Sequence, residues 1–320
     1  PSSRTARDFR TFGVTRGNIT CISSPSPTPT ASRACRKNEG PKTLNSRCSP
    51  SLPDSSESTL RRGAENKCWF YSRALWLSAR DDVGMTAFSS PSAPVGDLNG
   101  WVRTPFAAAG FTYDCFEKGS GPGVVLIPEI PGITPEVLGL AEHLVGAGFT
   151  VVVPSPFGEP GKAKSVGYMT RIVLRLCVAA EFRAFATNSS RPITDFLRAV
   201  ASDLAARTPG KGVGVIGQCF TGGFALAAAI DDSVAASVLS QPAVPFPLGR
   251  ARQLDSGVSP EEFDRIAARA DAGEVCAVGL RFSGDSAAPL ARFDTIKARL
   301  GSAFEIIQLD SSEGNPDGYA

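Results

Sequence analysis

The sequence predicts an α/β protein, a mainly parallel sheet with helices on both faces. Three observations point there. Short apolar runs alternate with stretches of helical period between residues 123 and 309. The runs, such as "GVVLIP" (123–128), lack polar alternation, as strands covered on both faces do. One of them, "GVGVIG" (212–217), runs into a small-residue turn that opens a helix, "QCFTGGFALA" (218–227). Strands alternating with helices require right-handed crossovers and hence a parallel sheet.

The elements follow in order. After the strand at 123–128, Pro135 opens "PEVLGLAEHLVGAG", in which Val137, Leu138, Leu140, Ala141 and Leu144 share a helical face. Proline in a first turn and glycine at the end agree with that helix. "FTVVVP" (149–154) is the next strand, and helices are expected around 168–184 and 192–206. "GVGVIG" is a strand and 220–230 a helix. "VAASVLS" (234–240), "VCAVGLRF" (275–282) and "AFEIIQL" (303–309) complete the strands, with helices near 260–272 and 288–299. No internal repeat is present.

Composition divides the chain. Of 320 residues 42% are hydrophobic and 20% charged, which suits one large domain or two small ones. Residues 1–84 hold 14 Lys and Arg against 7 Asp and Glu; the rest holds 19 of the chain's 33 basic residues and 24 of its 31 acidic ones. The front is rich in Ser, Pro, Thr and Arg, keeps no period, and cannot bury enough apolar surface to offset its ordering entropy. A transit peptide and a basic nucleic-acid arm are alternatives, but the charges form no stripe, so nucleic-acid binding is not expected. Residues 1–84 are expected to be a disordered or non-native extension, with Met85 as the natural start. A flexible leader is then expected at 85–99 and the working domain at 100–320. No run approaches the roughly 18 apolar residues that span a bilayer, and no segment has a secretory signal's order. The body cysteines Cys115, Cys177, Cys219 and Cys276 are widely spaced, without CxxC. That argues against a metal site and for mostly reduced thiols in a cytoplasmic protein, with Cys115, Cys177 and Cys276 as core thiols.

Two stretches carry chemistry. Gly212, Gly214 and Gly217 fit GxGxxG, but no apolar run precedes them; they belong to the strand itself, so a dinucleotide cofactor is not expected. The turn after the strand fits a nucleophile elbow, which lifts a reactive side chain above the sheet on a strained strand-to-helix turn. Cys219 would be that nucleophile, with Gly217, Thr221, Gly222 and Gly223 supplying the small neighbours the turn needs. The helix start favours negative charge, lowering a thiol's pKa and helping to hold an oxyanion. The alternative is an inert buried cysteine before a glycine-rich helix. The second stretch, "LIPEIPGIT" (126–134), lies at the C-terminal end of a strand, where open α/β sheets bind ligands. Glu129 there is either a functional carboxylate or a solvated loop charge.

With "PEIPGI" (128–133), "VVVPSPFG" (151–158), "GQCFTGG" (217–223) and "RFSGD" (281–285) in this order, the region 100–320 resembles the dienelactone hydrolase family of α/β-hydrolases. The resemblance implies an α/β-hydrolase fold and hydrolysis of an ester, lactone or thioester without metal or cofactor. It implies Cys219 as nucleophile, Glu129 as the carboxylate that activates the thiol, and Asp285 as the acid that orients a histidine. Backbone N–H groups of Ile130 and Phe220 would form the oxyanion hole. Two departures stand out. Thr221 replaces a common glycine, and "GEPGKAK" (158–164) replaces an arginine that grips a substrate carboxylate, which makes dienelactone itself a doubtful substrate. The chain's one histidine, His143, lies mid-helix upstream of the nucleophile, and "DSSEGNPDGYA" (310–320) ends where the family's histidine is due. The expectation is a domain truncated at its C-terminus and nearly inactive for want of that histidine; a catalytically inactive binding protein is the alternative. Small-molecule substrates, no membrane, and a monomeric or weakly self-associating state complete the reading.

Overall fold

The computed structural model of the protein describes residues 94–183 and 186–315. The extension at 1–84 and the first part of the leader lie outside these residues. The strands are β1 (Val102–Ala108), β2 (Phe111–Gly119), β3 (Gly123–Ile127), β4 (Thr150–Pro154), β5 (Val213–Gln218), β6 (Val234–Ser240), β7 (Cys276–Phe282) and β8 (Phe304–Leu309). The helices described are α1 (Pro135–Gly146), α2 (Val166–Val178), α3 (Pro192–Arg207), α4 (Gly222–Ala228), α5 (Arg250–Leu254), α6 (Pro260–Asp271) and α7 (Leu290–Leu300). The strands form one eight-stranded sheet in the order β1-β2-β4-β3-β5-β6-β7-β8. β1 and β2 pair antiparallel, β2 meets β4 antiparallel, and β3 to β8 are mutually parallel. That order, with one antiparallel hairpin on a parallel sheet, is the α/β-hydrolase arrangement the sequence implied.

Every residue of β3 and of β4 is buried, which is why these segments read as unbroken apolar runs. Alternate side chains serve opposite layers. Val124, Leu126, Val151 and Val153 pack with Leu138 and Leu144 of α1. Val125, Ile127 and Val152 pack instead with Phe196 and Leu197 of α3 and Phe224 of α4. A third cluster joins α6 and α7 through Ile266, Phe293 and Ile296 to Phe304 of β8.

The sequence reading missed β1, β2 and the short α5. β1 is mostly exposed and holds Pro105, both tolerable on an edge strand, so its apolar signal is weak. In β2 the adjacent Cys115 and Phe116 are both buried, which breaks the alternation begun by Phe111 and Tyr113. The helix expected at 168–184 runs from 166 to 178: Ser165 caps its start by accepting from the Tyr168 N–H, and Ala179 leaves it in an extended conformation. Cys115 is a buried free thiol as expected. Cys276 is buried but disulfide-bonded, which corrects the free thiol inferred from spacing. The Cys177 side chain lies outside what is described. No helix among the described residues is long and apolar enough to cross a membrane.

Candidate active site

Sheet register brings the two sequence motifs together. Ile127 of β3 pairs with Gly217 of β5. Glu129 and Cys219 each lie two residues further on, so they leave adjacent strands at the same level. β4 ends on that edge too and leads to Lys164, as β7 leads to Asp285.

Cys219 has φ +49°, in the left-handed region that a residue with a Cβ rarely adopts. Such strain costs about 1–3 kcal/mol and persists only where the surroundings over-determine it. Here they do. A Cβ on Gly217 would sit 2.3 Å from the Thr221 carbonyl oxygen, and one on Gly222 would sit 2.7 Å from Pro242 Cα. Neither neighbour can move aside, because both contacts are backbone. The Ala243 N–H donates to the Cys219 carbonyl at 2.9 Å. Thr221 does more than fit. Its hydroxyl, fully buried, accepts the Gln218 N–H at 3.0 Å and lies 3.2 Å from the Ile127 carbonyl oxygen, tying the turn to β3. The sequence reading noted only that Thr221 was small.

The half-buried Cys219 thiol is held above the ordinary cysteine range, first by burial, then by the charge of Glu129. Asp285 pushes the same way; the Phe220 N–H, bonded to the sulfur, and Lys164 pull it back. Glu129 makes no hydrogen bond to the thiol among the described residues. Its Oε1 instead accepts from Lys164 Nζ at 2.7 Å, and both side chains are partly exposed. Burial works against the Lys164 charge, but the hydrogen bond and charge of Glu129, with Glu136 and Cys219, outweigh it and raise the Lys164 pKa. Lys164 is thus the cation that meets the site, whereas Lys162 pairs with Glu159. Ile130 follows Glu129 in the same turn, and its N–H has no partner among the described residues.

Asp285 is half-buried in the loop after β7. Its Oδ1 accepts from the N–H groups of Ala287 and Ala288 at 2.8 and 3.3 Å. Buried Arg281, which opens the "RFSGD" stretch but was given no role from the sequence, organises this loop. It donates to the carbonyls of Ala288, Ser283 and Asp285 and to the Gln308 side chain. An arginine inside the apolar run "VCAVGLRF" was the available signal. His143 does not join the group. It lies eight residues beyond Pro135 in α1, about 12 Å along the helix from its first residue at about 1.5 Å per residue, with Nε2 buried and unpartnered. No set of three His, Cys, Asp or Glu side chains among the described residues is placed to hold a metal ion.

The strand order and the strained turn define an α/β-hydrolase fold with a cysteine at its elbow. Residues 111–258 match the Dienelactone hydrolase family, so the chain is dienelactone hydrolase-like over the stretch from β2 to the loop before α6. No curated protein matches it. Among solved structures, a Klebsiella pneumoniae protein ascribed to the dienelactone hydrolases is similar at 17% identity and a TM-score of 0.46, covering 66% of this chain and 88% of that one. A dienelactone hydrolase-like promiscuous phosphotriesterase from metagenomic libraries is similar at 16% identity and a TM-score of 0.48, covering 66% and 82%. An alpha/beta hydrolase from a Penicillium species is similar at 14% identity and a TM-score of 0.44, covering 66% and 90%.

Proposed function

We propose that the protein hydrolyses a small-molecule ester, lactone or thioester through an acyl-cysteine on Cys219. The observation that carries this is the left-handed Cys219 at the end of β5, level with Glu129 at the end of β3. In this reading the thiol rests neutral. As substrate enters, its proton passes to the Glu129 carboxylate and the sulfur attacks the carbonyl carbon. The tetrahedral oxyanion lies against the N–H groups of Ile130 and Phe220. The C–O or C–S bond then breaks, and the leaving group takes the proton from Glu129. Water attacks the acyl-cysteine, releasing the carboxylic acid and restoring the thiol. Lys164 holds the Glu129 carboxylate beside the thiol through the 2.7 Å hydrogen bond to Oε1. Asp285 holds the acid position after β7. Among the described residues no imidazole is one of the groups that act on the sulfur, so deacylation is expected to be the slow step.

Mixing the purified protein with p-nitrophenyl acetate should release one equivalent of nitrophenolate in a burst. The peptide containing Cys219 should then carry an acetyl group. Cys219→Ala should abolish both. Absence of burst and of acetylated Cys219 would refute the acyl-cysteine and leave a non-catalytic binding protein as the better reading.

A further inference from the structure

Arg292 in α7 is fully buried, yet no carboxylate among the described residues bonds to it. Its guanidinium donates only to backbone carbonyls. Nε reaches the Asp255 oxygen at 2.7 Å, and Nη2 reaches Pro245 at 2.5 Å and Arg252 at 2.9 Å. Nη1 bonds the Pro242 carbonyl. Two of these carbonyls belong to the segment 242–245 that follows β6. That segment is the wall of the elbow: Pro242 fills the space beside Gly222, and the Ala243 N–H bonds the Cys219 carbonyl.

We propose that Arg292 is a positioning residue for Cys219, fixing the 242–245 wall that keeps the nucleophile in its left-handed conformation. The inference rests on the reading of Cys219 as nucleophile. A planar fork with five donors on three nitrogens can serve these four carbonyls at once; an ammonium, with three donors on one atom, can serve at most three and only close together. The strained turn needs such a wall, because nothing in Cys219 itself favours φ +49°.

The test compares wild type with Arg292→Lys and Pro242→Gly. The second variant loosens the wall from its other side without disturbing the buried guanidinium's charge. Two quantities are measured: single-turnover acetylation of Cys219 by p-nitrophenyl acetate, and the pH midpoint of its alkylation by iodoacetamide. Both variants should acetylate about 10- to 100-fold more slowly, the scale of a displacement approaching 1 Å. Their alkylation midpoint should fall towards that of an ordinary cysteine, because an opened turn admits water to the sulfur. A purely structural arginine would lower the melting temperature and leave Cys219 unchanged in the folded fraction, and that result overturns the proposal. If Arg292→Lys does not fold, unaltered acetylation and midpoint in Pro242→Gly overturn it equally. Absence of acetylation in wild type would instead overturn the nucleophile reading, while the midpoint comparison still tests whether Arg292 sets the thiol's environment.

Discussion

Replacing Gly217 by alanine tests the elbow most directly. The added Cβ would lie 2.3 Å from the Thr221 carbonyl oxygen, 2.9 Å from its carbon and 3.1 Å from Gly222 Cα. Contacts below 3.0 Å essentially never occur, so the turn must open by at least about 0.7 Å. All three atoms are backbone, so no side-chain rotation relieves the clash. Overpacking of this kind costs about 1–3 kcal/mol, against a typical domain stability of about 5–15 kcal/mol. The variant should therefore fold, with a melting temperature lower by about 2–12 °C for a domain of this size. The chemical cost should be larger than the structural one. Residues 218–221 move with the turn, and a displacement near 1 Å at a reacting atom can cost about 100-fold. Stopped-flow acetylation of Cys219, read beside thermal unfolding, separates the two. Wild-type acetylation in a Gly217→Ala variant of unchanged melting temperature would show that no tight turn exists at this position.

Other outcomes follow from the same geometry. Thr221→Val keeps the shape but leaves the Gln218 N–H without its acceptor, so chemical denaturation should show a loss of about 1–3 kcal/mol. Glu129→Gln removes a charge that opposes the thiolate, so the pH midpoint for Cys219 alkylation should fall; Lys164→Met removes a charge that favours it, so the midpoint should rise. Under the proposed mechanism Glu129→Gln should also slow acetylation by about 10²–10⁴, so that a more ionised thiol reacts more slowly with ester; unchanged acetylation would reduce Glu129 to a loop carboxylate. Cys115, buried and pushed up to about 12 by burial and by Asp114, should stay unlabelled by iodoacetamide in the native protein while Cys219 reacts, as peptide mass spectrometry would reveal.

Much of the sheet was legible because its central strands are buried on both faces. "GVVLI" and "TVVVP" have no solvent side to interrupt them, so their apolar runs are visible without homologues. The tight turn after β5 was legible for a different reason. Crowding by Thr221 at Gly217 and by Pro242 at Gly222 leaves room only for hydrogen, and that demand is written as residue type. The hairpin β1–β2 was hidden because an edge strand tolerates Pro105 and mixed exposure. Lys164 was seen as one of two loop lysines, beside Lys162; only the structure singles it out as the partner of Glu129.

The least legible residues were Arg281 and Arg292. Ionic partners leave a trace in sequence, since an acid and a base must both be present, and at i,i+3 or i,i+4 they form a local pattern. These two arginines spend their donors mainly on carbonyl groups, which every residue carries alike. Arg292 reaches oxygens of residues 242, 245, 252 and 255, none of which needs a particular side chain for the purpose. These carbonyl partners therefore place no demand on the side chains of the residues that supply them. A buried arginine satisfied by backbone thus reads from sequence as an ordinary surface charge on a helix. Its partners become visible only when the chain's path shows which loop the carbonyls belong to, and here that loop is the 242–245 segment packed against the Cys219 turn.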